Sequence, residues 1–389
     1  MKFFKVAVLL FVLLVLLLPA AGCSGEGAGN DTGAGNGTET AVERNMSHNA
    51  APEVDEAGHV AVAGDAARDK GANAAREQNQ QQGDHNEPPV KDAETEPEIT
   101  EHKKAQAVQL VITRDFGRET LVSKSVFPGE KQTVFDLLQE NSQVTTAYGG
   151  GFIDSINGLK SSSGGLRGGI SDWFYYVNGV FAHLGANDYQ PLPGDVIWWD
   201  YHQWSSMNVY PAVIGCYPRP FAGGYMGSQK PVVIMSTGES EEMALGLKKS
   251  LESRGAVSVS VRDLDEGLLQ KRPGPVIVVG QWDELNSLKW LSDFNNARGR
   301  NGTSVYFSDN KVHLLDYSGR TVRTIDGSAG VITATGAGTG DSSPLWLIAG
   351  TDGDGVRQAV DILLQQPDKI SGFYGAAVCG GEVIRLPLL

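Results

Sequence analysis

The chain has 389 residues, with 46 acidic against 32 basic side chains and a formal net charge of −14. That length implies more than one domain, and no nucleic-acid partner is expected. Three cysteines are too few for a disulfide-built scaffold.

Residues 1–23 form a targeting segment. Lys2 and Lys5 precede an unbroken apolar run over 6–18. The run has the length of a signal-peptide core and is too short to span a membrane comfortably. It ends in Pro19-Ala20-Ala21-Gly22-Cys23. Small residues followed by cysteine resemble a bacterial lipoprotein cleavage box. The resemblance implies that Cys23 carries the lipid and becomes the first mature residue, which anchors an exported protein to the extracellular face of the cell membrane. Residues 24–105 contain no aromatic side chain and carry seventeen acids against seven bases. Such a stretch buries too little apolar surface to offset chain entropy, so a disordered acidic tether is expected. The tether also accounts for most of the net charge.

A first folded domain is expected over 106–205. Residues 106–113 (QAVQLVIT) alternate as a strand, and 119–127 read as its return. Thr133, with Asp136 in capping-box position, opens a helix that runs to Asn141. Weak strands follow near 145–148 and 152–158, then a Ser/Gly loop over 159–169. Two aromatic runs close the domain, 173–177 (WFYYV) and 196–204 (VIWWDYHQW), with Asn178-Gly179 and Pro193-Gly194-Asp195 as turns. On these strands one face takes Trp173, Tyr175, Val177, Ile197, Trp199 and Tyr201. The other takes Phe174, Tyr176, Val196, Trp198, Asp200, His202 and Trp204. Both faces therefore carry rings, so either the sheet is covered on both sides or one side is an aromatic platform for a ligand. The element order suits a small mixed sheet over one helix, a β-grasp arrangement.

The run WFYYVNG, a gap, then HLGANDYQPLPGDVIWWDY resembles a domain of unknown function found in bacterial surface lipoproteins and related to the C-terminal domain of transcobalamin and intrinsic factor. The resemblance covers about a quarter of the chain. It implies a β-grasp-like fold that covers one face of cobalamin, with contacts from the loop His183-Leu184-Gly185-Ala186-Asn187 and walls from Tyr175, Tyr176 and Trp199. The chain lacks the helical domain that supplies the opposite wall in those carriers.

Residues 206–229, rich in Gly, Pro and Tyr, read as an ordered linker, partly packed through Tyr210, Tyr217, Phe221 and Tyr225. Residues 230–389 read as a mainly parallel α/β domain: apolar runs at 231–236, 257–261, 275–279 and 345–349 alternate with helices at 239–254, 281–295 and 354–366. An inserted meander is expected over 304–316, 320–324 and 330–335, and a closing hairpin at Gly380-Gly381. Asp352 and Asp354 are expected to cap a helix. Cys216 and Cys379 are candidates for a disulfide, as an exported chain permits.

The fold expected is thus α+β plus α/β, a β-grasp-like domain followed by a mainly parallel α/β domain after a disordered tether. The function expected is capture of a soluble ligand, with cobalamin or another corrinoid first to test, for delivery to an uptake system. Tyr175, Tyr176, His183, Leu184, Gly185, Trp198 and Trp199 are the candidate binding residues. The rival is an envelope adhesion module that docks a protein or glycan. No catalytic motif, metal-ligand spacing or cofactor fingerprint stands out, and an enzyme is not expected.

Overall fold

The computed structural model describes residues 107–147, 152–162, 169–204 and 209–389. The readings of a targeting segment over 1–23, lipid attachment at Cys23 and a tether over 24–105 lie outside the described residues. The described residues belong to one compact unit, Lys91–Leu389, within which two lobes pack together.

The first lobe holds strands β1 (Val108–Arg114), β2 (Glu119–Val126), β3 (Val144–Ala147), β4 (Phe152–Ile156), β5 (Leu159–Lys160), β6 (Ile170–Val177), β7 (Val180–Phe181) and β8 (Val196–Trp204), with helix α1 (Val134–Asn141) after β2. Its five-stranded sheet has the order β2-β1-β8-β6-β7. The first and last strands, β1 and β8, are parallel and central, while the β1–β2 and β6–β8 pairs are antiparallel. Thr133 caps α1 as its sequence predicts: its hydroxyl accepts from Asp136 N, and the Asp136 carboxylate returns to Thr133 N at 2.8 Å. Val134, Leu137 and Leu138 of α1 pack onto Leu110, Ile112, Tyr175, Ile197 and Trp199.

The second lobe holds β9 (Val232–Ser236), α2 (Glu241–Ser253), β10 (Val259–Asp263), α3 (Glu266–Gln270), β11 (Val276–Gln281), α4 (Trp282–Leu285), α5 (Lys289–Asn296), β12 (Val305–Ser308), β13 (Lys311–Leu315), β14 (Thr321–Asp326), β15 (Gly330–Thr335), β16 (Leu345–Gly350), α6 (Gly353–Gln365), β17 (Gly375–Cys379) and β18 (Glu382–Leu386). Its seven-stranded sheet runs β10-β9-β11-β16-β15-β17-β18. Helices α2 and α6 cover one face, and β12-β13-β14 with α4 and α5 cover the other. Asp352 caps α6 by accepting from Gly355 N at 2.7 Å.

Four expectations are corrected. The sheet is parallel only from β10 to β16; β15, β17 and β18 join it antiparallel. Residues 330–335 are therefore not part of the meander but a fully buried strand of the main sheet. The reason is the short 336–344 connection, because a parallel crossover needs a dozen residues or more. The helix expected over 281–295 breaks into α4 and α5 at Leu288, which is extended; Ser287 Oγ donates back to the Glu284 carbonyl at 2.6 Å, the local bonding by which serine competes with a helix. Cys216 and Cys379 are free thiols that pack into different core clusters, so no bridge joins them.

The segment between the lobes is packed through Tyr210, Tyr217, Phe221 and Tyr225, and more deeply than a linker requires. Ala212, Ile214 and Phe221 insert into the second lobe, Tyr225 into the first, and Tyr210, Val213 and Cys216 between them. Its backbone bonds to both lobes: Val213 N donates to Gly179 O at 2.9 Å, and Ile214 N to Tyr374 O at 3.4 Å.

Candidate functional site at the lobe junction

The alternation of β6 and β8 is realised as written in the sequence, and both faces are covered. Tyr175 and Trp199 lie on the α1 face, stacked with ring centroids 4.7 Å apart. Tyr176 and Trp198 lie on the opposite face, both 1% exposed, under Tyr210, Val213, Cys216 and Tyr374. The candidate binding residues therefore divide. Tyr175, His183, Leu184, Gly185 and Trp199 gather on the α1 side, where Tyr175 Oη donates to the Leu184 carbonyl and His183 Nδ1 meets Tyr225 Oη at 2.8 Å. Gly185 closes a turn by accepting from Asp188 N at 2.9 Å. The loop carbonyls of Ala186 and Tyr189 accept from Phe135 N and Val134 N, two of the free donors at the α1 N-terminus. Burial raises the Tyr175 hydroxyl above its ordinary value, with Tyr225 and Asp188 adding to the shift.

The turn residues of the aromatic stretch meet in one buried node. Asn178 Nδ2 donates to Asp195 Oδ1 at 2.7 Å and to Gly224 O at 2.7 Å, while Asn178 Oδ1 accepts from Val196 N at 2.9 Å. Tyr189 Oη and Leu192 N both donate to Asp195 Oδ2, at 2.5 and 2.9 Å. Asp195, read from sequence as a turn residue bonded to local backbone, also ties Tyr189 and Asn178 together. The spacing of this motif is thus accounted for by architecture.

A second buried node lies between the lobes. Asp200, fully buried, accepts from the Thr113 hydroxyl, from Phe116 N at 3.0 Å and Gly117 N at 2.9 Å, from His202 Nδ1 at 2.7 Å and from Tyr374 Oη at 3.3 Å. Trp198 Nε1 donates to Thr113 Oγ1 at 2.7 Å, which fixes the ring that floors the junction. His202 is held between Phe116 and Phe174, each with its ring centroid 4.3 Å away. Asp115, Phe116 and Gly117 all have positive φ, and the two amides that grip the carboxylate come from this turn. Burial and the nearby Asp200 raise the Tyr374 hydroxyl well above its ordinary value.

Beside Trp198 the cover stops and a cleft of about 340 Å³ opens. Gln109, Val111, Thr120, Ser123 and Trp198 line its sheet side; Cys216, Tyr217 and Gly372 face them. Arg118 and Arg385 also line it. Arg118 Nη2 donates to Pro387 O at 2.8 Å, and its Nη1 is buried without a hydrogen-bond partner among the described residues. Arg385 Nη1 donates to Gly117 O and, at 2.7 Å, to Gly372 O, and its guanidinium lies 3.8 Å from the Phe373 ring centre. Burial lowers both guanidinium pKa values, and the neighbouring Arg118 charge helps push Arg385 down to about 10. Sequence reasoning missed both arginines. Arg118 sat in what read only as a hairpin turn, and nothing local to Arg385 marks it. Among the described residues no group of three or more His, Cys, Asp and Glu side chains is placed to hold a metal ion.

Residues 131–203 match a domain of unknown function, DUF4430. The match spans α1 through the penultimate residue of β8 and leaves the second lobe uncovered. No curated protein matches the chain.

Proposed function

We propose that this chain is an exported, lipid-anchored protein of the cell envelope that captures a small soluble molecule between its two lobes. The observation that carries this reading is the cleft beside Trp198. Ligand sites fall preferentially between domains and occupy about 300–1,000 Å³, and the cleft has about 340 Å³ at such a junction. The apolar run and cysteine at 1–23 support export and anchoring, and the acidic stretch over 24–105 supports a tether. The strand order β2-β1-β8-β6-β7, with β1 and β8 parallel and α1 across one face, supports a β-grasp reading of the first lobe. That reading in turn supports kinship with the corrinoid-covering domains. The cleft lies at the small end of the ligand range, which favours a compact molecule over a whole corrinoid. Capture is favoured over adhesion through exposed rings, because Trp198 is buried and the Trp204 indole is bonded to Asp172 at 2.7 Å.

The test is a thermal-shift screen of the full chain with small water-soluble compounds, cyanocobalamin and dicyanocobinamide included, followed by calorimetry of any that stabilise. A ligand at a hundred times its Kd adds about 2.7 kcal/mol of stability. Ser123 is exposed on the cleft wall, so Ser123→Trp should fill the cleft without disturbing a core and should abolish binding. Binding that survives this variant would place the ligand elsewhere. A panel with no stabilising compound would turn attention to protein partners in the envelope. Anchoring is tested separately: Cys23→Ser should move the protein from the membrane to the soluble fraction.

A further inference from the structure

The geometry points to a carboxylate or phosphate group on the captured molecule, held in the cleft by Arg118 and Arg385. This inference rests on the cleft being the capture site. Two guanidinium groups line one small cavity, and no Asp or Glu is among the described residues lining it, although acids outnumber bases 46 to 32 in the chain. Elsewhere the half-buried Arg272 is paired with Asp341 at 3.0 Å. Arg118 and Arg385 instead spend hydrogen bonds on the carbonyls of Pro387, Gly117 and Gly372, which fixes their orientation and leaves their charge unmatched.

The nearest buried carboxylate does not supply the match. Asp200 attracts both guanidiniums, and the exposed Asp115 attracts Arg118 from outside the cleft. Yet an ionised carboxylate offers about four lone-pair sites, and Asp200 already accepts from five groups. Arg118 Nη1 thus stays a buried donor with no acceptor among the described residues. An oxyanion in the cleft would neutralise this like-charge pair. The Arg385 guanidinium, held over the Phe373 ring and bonded through Nη1, keeps its other donors in the planar fork that suits carboxylate and phosphate. Ser123, Thr120 and Gln109 can complete the hydrogen bonding, while the partly exposed Val111 offers apolar surface to the rest of the molecule.

The experiment titrates the full chain by calorimetry with inorganic phosphate, citrate, succinate and, as an uncharged control, glycerol. Binding of phosphate or of a carboxylate, silence from glycerol, and at least tenfold weakening in Arg118→Gln and in Ser123→Asp are expected. Phosphate alone, or carboxylates alone, would identify which oxyanion is read. Ser123→Asp adds a negative charge on an exposed wall and should not unfold the protein. Arg385→Lys keeps the charge while losing the fork, and should weaken binding less than Arg118→Gln. Anion binding that neither Arg118→Gln nor Ser123→Asp alters would overturn the proposal, as would no binding by any of the anions up to tens of millimolar. A neutral compound that binds and is displaced by Ser123→Trp but not by Ser123→Asp would overturn it too, while leaving small-molecule capture standing.

Discussion

At the scale of single residues, burial decides what each aromatic side chain can do. Trp198 is 1% exposed and bonded through its indole to Thr113. Trp198→Ala should therefore lower stability by about 3–5 kcal/mol, the range for emptying a large aromatic site. Denaturant unfolding would measure it, and a loss under 1 kcal/mol would mean that the junction is looser than described. The thiols give a sharper contrast. Burial pushes Cys216 up to about 12, whereas Cys379 is partly exposed at the end of β17. A thiol reagent at pH 8 should label Cys379 in the native protein and Cys216 only after denaturation; protection of both until a reductant is added would instead reveal a disulfide. Asp341 supplies a pH dependence. Burial raises its pKa, but bonds from Ala337 N, Ser343 N and Arg272 outweigh that and hold it below the ordinary carboxylate value. Because the folded value is depressed, the stability it contributes is complete above about pH 4 and is lost as pH falls further. Asp341→Ala should cost about 2 kcal/mol at pH 7, and the gap to the parent protein should shrink below pH 4.

Elements were legible where periodicity and caps agreed. The alternating rings of 196–204 gave β8 its true limits, and Thr133 with Asp136 marked the start of α1. What was illegible depends on contacts distant in sequence. Residues 330–335 are apolar enough for a meander or for a central strand, and only pairing with β16 and β17 decides. The stretch around 210–225 has no period because its side chains fill three different clusters. The node around Asp195 was half visible, as Gly-Asp turn chemistry, while its tie to Asn178 depends on the pairing of β6 with β8 and its tie to Tyr189 on how the intervening loop folds back. The cleft was invisible for the same reason, since it is made by the β1–β2 hairpin meeting the loop at 371–373. That meeting needs glycine. A Cβ on Gly117, whose φ is +73°, would lie 1.9 Å from Gly372 O, and one on Gly215 would lie 2.5 Å from Phe373 N. Gly117→Ala should part the hairpin from the second lobe and lower the melting temperature by several degrees, whereas the same change at Gly353, which has open space around its Cα, should not.

On the scale of the whole molecule, the two lobes are joined by shared core rather than by a hinge. Tyr210, Tyr374, Phe116, Tyr176 and Trp198 form one cluster drawn from both lobes and the segment between them. Calorimetric unfolding should accordingly show a single transition. Asp200→Asn, which disturbs a buried and fully bonded carboxylate, should lower that transition as a whole by about 3–5 kcal/mol; two separated transitions in the parent protein would contradict this picture.

The Asp200 node also sets an order of assembly. Its partners Thr113, Phe116, Gly117 and His202 all lie within the first lobe, but Tyr374 follows Asp200 by 174 residues. A chain that leaves a ribosome or a translocation channel from its N-terminus completes β1 through β8 long before that hydroxyl arrives. Until then the rings of Tyr176 and Trp198 face water instead of Tyr374. The nascent first lobe is therefore sticky on one side for the time needed to synthesise the second, a window in which a holding chaperone has a defined surface to recognise and in which truncated chains would aggregate.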